Sequence, residues 1–179
     1  MGRPRGFDRD LALDKAMRLF WQSGYEQTSI VDLTQELGIS ATSLYAAFGD
    51  KKSLFEEAVA HYEANPQSVT TVGMAGTSQR EVLETMLDCA SREYTSTAHP
   101  RGCLVNSEPE LGTNREHNRA ITAARLLEVA ETTDARHEAE TLAAFTQALH
   151  VGLSSYARDG ADEEQLRRVA ELALRVTAP

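Results

Sequence analysis

A chain of 179 residues, 41% of them hydrophobic, is long enough for one sizeable domain or two small ones with cores of their own. Its 18 basic and 27 acidic residues give a net charge of -9, which excludes a uniformly basic nucleic-acid coat, and no stretch approaches the roughly 18 uninterrupted apolar residues of a membrane span. The charge is nonetheless uneven: up to Lys52 seven basic and seven acidic residues balance, all three lysines lie there, and the whole acidic excess follows, a pattern that implies two modules with different partners. The opening MGRPRGFDRD is charged and has no apolar stretch of the signal-peptide kind, so a cytoplasmic location is expected.

Helical periodicity runs through the chain and strict alternation is not found, so the expected class is all-α. Asp8 can cap a first helix with Ala12, Ala16, Leu19 and Phe20 on one face, and Gly24 can end it. Ser29 and Asp32 have capping-box spacing at the start of a short helix with Ile30, Leu33 and Leu37 inward, stopped by Gly38. Ser40 caps the next, Ala41 to Phe48, and Gly49-Asp50 closes it and opens a longer helix through Leu54, Phe55, Ala58, Val59 and Tyr62. The stretch NPQSVTTVGMAGTS then reads as a connector. Beyond it come a helix from Gln79 to Thr97, a break at His99-Pro100-Arg101-Gly102, a short helical piece from Cys103 to Leu111, and helices from Asn114 to about Ala130, Glu138 to Arg158 and Glu163 to Arg175. Leu126 to His137 lacks apolar spacing and reads as a tight loop or a shortened passage.

The stretch ISATSLYAAFGDKKSLF carries the chemistry. Ile30–Leu37, the turn Gly38-Ile39-Ser40 and Ala41–Phe48 have the spacing of a helix-turn-helix, whose second helix enters the major groove of DNA. Eight residues at about 1.5 Å each span about 12 Å, the width of that groove. Ala41, Thr42 and Ser43 are small enough to approach base edges, with hydroxyls to hydrogen-bond and a methyl for thymine. Leu44 and Phe48 face inward and Tyr45 turns its hydroxyl toward phosphate. Lys51 and Lys52 occupy the first turn of a helix, where the macrodipole disfavours a cation unless phosphate is also present. Thr28 and Ser29 can donate to phosphate across the groove, and Arg3 and Arg5, flanking Pro4, have the composition of an arm for backbone or minor-groove contact.

With GRPRGFD and ALDKAMRLFWQSGYEQTSIVDLTQELGISATSLYAAFGDKKSLFEEAV, the chain resembles the TetR/AcrR-type transcriptional repressors, closely from Gly2 to Val59 and loosely beyond Tyr62. The resemblance implies an arm and three-helix DNA-binding domain over residues 1–50, a linking helix over 51–66 and a helical ligand-binding and dimerisation domain over 67–179. It implies that Thr28, Ser29, Ala41, Thr42, Ser43, Tyr45, Ala46 and Lys51 lie against DNA and that Gly38 is the turn glycine. RGCLVNSEPE, Arg101 to Glu110, is similar to a motif of one branch of the family. The expected function is a ligand-responsive repressor binding a palindromic operator as a homodimer, with double-stranded DNA, an unidentified small molecule and a second copy as partners.

In the second module, Met86, Cys89, Tyr94, Cys103, Leu104 and Leu111 are candidates to line an effector cavity. Leu142, Phe145, Leu149, Gly152, Leu153 and Tyr156, with Leu166, Val169 and Ala173 on the last helix, recur at helical spacing and are candidates for a four-helix dimer interface. The two cysteines have neither disulfide-framework nor zinc spacing, and the histidines are scattered, so no metal or cofactor is expected. No helical carboxylate motif, phosphate-binding glycine loop or nucleophile signature argues for an enzyme. A redox-sensing regulator acting through Cys89 and Cys103, or a small-molecule-binding protein without a DNA function, are the alternatives left open.

Overall fold

Helix α1, Arg9–Ser23, starts where the Asp8 carboxylate accepts the backbone N–H groups of Asp10 and Leu11, and ends at Gly24, whose φ of 85° few side chains tolerate. Its neighbours follow by the same local chemistry in a computed structural model that describes residues 7–130 and 136–176. Ser29 and Asp32 close a full capping box on α2, Ile30–Leu37, and Gly38 ends it in the left-handed region at φ 67°. Ser40 caps α3, Ala41–Phe48, and Asp50 caps α4, Lys51–Glu63. All described elements are helical. The chain divides into two compact units, Met1–Asn65 and Pro66–Pro179.

The first unit is α1 to α4 around Ala16, Phe20, Leu33, Leu44, Leu54 and Ala58, each without exposed surface. The Phe20 and Phe55 rings meet edge to face at 5.1 Å, and Trp21 meets Tyr62 in the same way at 5.0 Å. The buried face of α1 differs from the expected row of Ala12, Ala16, Leu19 and Phe20. Leu19 is half-buried, while Leu13, Met17 and Trp21 form a second buried row, because α1 packs against both α2 and α4 and needs two adjacent faces.

In the second unit the supposed connector is part of the packing. Ser68 caps a short helix α5, Val69–Gly73, laid against α6, Gln79–Glu93. Its glycines permit contact rather than flexibility: a Cβ on Gly73 would stand 2.2 Å from Cγ of Met86, and one on Gly76 would stand 2.5 Å from the backbone nitrogen of Val82. Gly76→Ala therefore forces two backbone segments apart and is expected to destabilise by about 1–3 kcal/mol. A melting temperature within a degree of the parent's would show that this loop gives way freely.

After α6 come α7, Leu104–Ser107, a 3-10 turn at Pro109–Leu111, α8, Gly112–Glu128, α9, Arg136–Arg158, and α10, Glu163–Val176. Helix α8 continues through Leu126, which is wholly buried, to Glu128, and α9 begins at Arg136, so both ends of the expected loop are helical; residues 131–135 between them lie outside the described residues. A core of Val82, Leu83, Met86, Leu126, Ala139 and Ala143 joins α6, α8 and α9, and α10 packs on α6. Arg101-Gly102-Cys103 fastens the passage between α6 and α7 to the end of α9. Arg101 donates to the Ala157 and Ala161 carbonyls, Gly102 takes φ 79° against Ser154, and the Cys103 N–H donates to Ser154 Oγ at 2.8 Å.

Candidate nucleic-acid interface

Helix α3 is anchored from beneath and bare on top. Leu44 and Phe48 are buried, while Ala41, Thr42, Tyr45 and Ala46 share the opposite, exposed face, with Tyr45 48% accessible. Ser43 is half-buried, its hydroxyl 2.9 Å from that of Ser40. The exposed row ascends from two small residues to the one phenol, so the N-terminal end can come nearest a base edge and the ring can reach sideways.

The flanks differ from expectation. Thr28 is 1% exposed and its hydroxyl donates to the Gly24 carbonyl at 2.7 Å, so it is no phosphate donor: it closes the turn between α1 and α2. Ser29 is exposed, but its hydroxyl at 2.6 Å and its N–H at 2.8 Å both serve Asp32. Those bonds, the hydroxyl's first, hold the Asp32 carboxyl below the usual carboxylate range, so the position presents an anion rather than free donors. The capping box is strong sequence evidence for a helix start, and for that same reason it commits the groups expected to meet phosphate. Arg3 and Arg5 lie outside the described residues.

Lys51 has a local explanation that the sequence does not show. Its ammonium lies 4.3 Å from the centre of the Tyr25 ring, and that ring packs on Phe55 at 4.7 Å. The cation–π contact offsets the unfavourable dipole and fixes the charge at the edge of the α3 face. Lys52 instead pairs with Glu56, one turn on, at 3.6 Å. The Ser53 N–H, ahead of the Lys52 charge, holds the Asp50 carboxyl that caps α4 below its ordinary range.

Residues 12–58 match the family described as bacterial regulatory proteins, tetR family. The HTH-type transcriptional repressor ComR of Escherichia coli (strain K12) is 34% identical over 195 residues, covering 98% of this chain and 91% of its own. The chain belongs to the TetR family. A second E. coli relative, the HTH-type transcriptional repressor BdcR, is 34% identical over 182 residues, covering 96% of this chain and 90% of its own. Among solved structures, a cysteine mutant of the TetR family transcriptional regulator CifR, complexed with 26bp double-strand operator DNA, superposes with a TM-score of 0.88 at 37% identity, covering 98% of this chain and all of that one.

For the C-terminal unit of this TetR-family chain, the nominated cavity residues prove to be tightly enclosed. Met86, Leu104 and Leu111 are plain core, and a cleft of about 470 Å³ between α8 and α9 is lined by none of the six nominated residues. Tyr94 and Cys103 instead belong to a polar cluster in which Asn106 and Gln147 are half-buried. The Tyr94 hydroxyl accepts from Asn106 at 3.3 Å, Asn106 accepts from Gln147 at 3.0 Å, and the Tyr94 ring stands edge-on to His150 at 6.3 Å. The His150 Nε2 is buried with no hydrogen-bond partner among the described residues, and burial lowers the imidazole pKa to about 4. Asn106, Gln147, His150 and Ser154 are not among the residues expected from sequence. The signal was there in Thr146, His150 and Ser154, four apart on one face of α9.

Burial, followed by the Glu93 carboxylate, raises the Cys89 thiol pKa, and both cysteines are buried, neither of them in a disulfide. Neither observation favours a thiolate sensor. The dimer candidates split in two. Leu153, Leu166 and Ala173 are packed inside the subunit and do not face a partner, since both α9 and α10 carry two apolar rows and spacing alone does not say which faces out. Phe145, Gly152 and Tyr156 are exposed, Leu142, Leu149 and Val169 half-buried, and Val151 and Leu172, which are not among the residues expected from sequence, are exposed as well.

Proposed function

We propose that this TetR-family protein is a transcriptional repressor of the bacterial cytoplasm that reads a palindromic operator as a homodimer and responds to a small molecule held in its C-terminal unit. The observation that carries the reading is α3 itself: a two-turn helix, capped at Ser40, fixed by Leu44 and Phe48, and bare along Ala41, Thr42, Tyr45 and Ala46. A surface that flat, small and hydroxyl-bearing has little use in solvent and suits a groove. The outer row of α9 and α10, Phe145, Leu149, Gly152, Tyr156, Val169 and Leu172, is the face for the second copy. Effector chemistry is placed near Tyr94 and His150, where the buried polar groups are.

The test is a gel-shift titration on fragments selected from the genome by the protein. Lys51→Ala is expected to weaken binding to all sequences alike and to reduce the slope of log affinity against log salt by about 1, as loss of one phosphate contact should. Thr42→Ala should instead shift the preferred base at one half-site position, by about 1–3 kcal/mol. If both substitutions leave the titration unchanged, α3 is not the reading helix.

A further inference from the structure

Arg9 stands where helix electrostatics disfavours it, at the first position of α1, yet its side chain is tied to three other places. One guanidinium nitrogen donates to the Glu57 carboxylate of α4 at 2.6 Å and reaches the Ala47 carbonyl of α3 at 3.4 Å. The guanidinium carbon lies 4.6 Å from the centre of the Phe48 ring. The last turn of α3 is thus held at its negative end by a cation, covered on its buried aromatic by the same cation, and tied through it to α4, the helix from which the chain runs on into the second unit. Lysine could supply the charge but not the planar fork that stacks and donates together.

We infer that Arg9 is a positioning residue for operator reading: it touches no DNA and sets the angle of α3 against α4, so that the exposed row Ala41, Thr42, Tyr45 and Ala46 meets base edges in register. This rests on the repressor reading above. Loss of Arg9 leaves Tyr45 and Lys51 free to meet phosphate, so sequence-independent binding persists while discrimination falls. The ion pair to Glu57 is only part of the device, because an inverted pair would set a carboxylate against the Ala47 carbonyl and the Phe48 face, both of which repel it.

The test compares wild type, Arg9→Gln and the swap Arg9→Glu/Glu57→Arg on two duplexes: one enriched by the wild-type protein from a random-sequence pool, and a scrambled version of it. For Arg9→Gln the ratio of the two affinities is expected to fall about tenfold, the worth of one lost charge-assisted contact, with the salt slope unchanged. The ratio is independent of the folded fraction, so mere destabilisation does not move it. The swap should regain melting temperature without regaining the ratio. A ratio unchanged in Arg9→Gln, a ratio restored by the swap, or a salt slope lowered by about one, which would make Arg9 a phosphate contact, each overturns the inference. If the wild-type protein enriches no duplex at all, the repressor reading fails first and separately.

Discussion

Phe20→Ala is expected to abolish operator binding and to lower the stability of the N-terminal unit by about 3–5 kcal/mol, the range for truncating a fully buried phenylalanine. The ring has no exposed surface and meets Phe55 and Tyr25, with centroids at 5.1 and 6.1 Å. Those two rings in turn place Lys51, so one truncation loosens both the core under the reading helix and the edge of its binding face. For a unit of this size, stable by about 0.05–0.15 kcal/mol per residue, such a loss removes a large share of the total stability. Trp21, the one tryptophan of the chain, lies in this unit against Tyr62 and reports its unfolding by fluorescence in urea. Leu11→Ala, at a position 55% exposed, is the control and should shift stability by no more than about 0.5 kcal/mol. A Phe20→Ala midpoint close to that of the control would mean that the aromatic cluster does not hold the unit together.

Much of the N-terminal unit is legible in its sequence because its signals are local. Asp8, Ser29, Ser40 and Asp50 each cap the helix that follows, and Gly24, Gly38 and Gly49 each stand just past a helix end. Such chemistry acts within four residues and needs no knowledge of the fold. What stayed hidden is what depends on distant neighbours. Lys51 finds Tyr25 twenty-six positions away, and Arg9 finds Ala47 and Glu57 thirty-eight and forty-eight away. In the C-terminal unit the same limit is more severe. Gly73 and Gly76 look like linker residues until α6 is laid against them, and the two apolar rows of α9 differ in meaning only once one of them is covered. Periodicity shows that a helix has a face; packing decides which face is left for a partner.

The second large effect concerns pH. His150 is buried with Nε2 lacking a partner among the described residues, and burial lowers its pKa from 6.5 to about 4. A histidine depressed in the fold binds its proton more readily when unfolded, so the neutral ring's contribution is complete above about pH 6.5 and is lost as the pH falls toward 4. At about 1.4 kcal/mol per pH unit, the loss by pH 4 amounts to about 3 kcal/mol, concentrated in the C-terminal unit. His150→Leu has similar volume, suits the Tyr94 ring beside it, and removes both the titration and the unpaired nitrogen. Denaturation followed by circular dichroism at pH 5, 6, 7 and 8 should give nearly equal stabilities for parent and variant at pH 8, or a small advantage to leucine, with the two diverging steadily below pH 6.5. Carboxylates titrate in both proteins and cancel in the difference, which isolates the imidazole. Parallel curves across that range would mean that His150 is solvated or paired in solution, and would remove the reason for placing effector chemistry beside Tyr94.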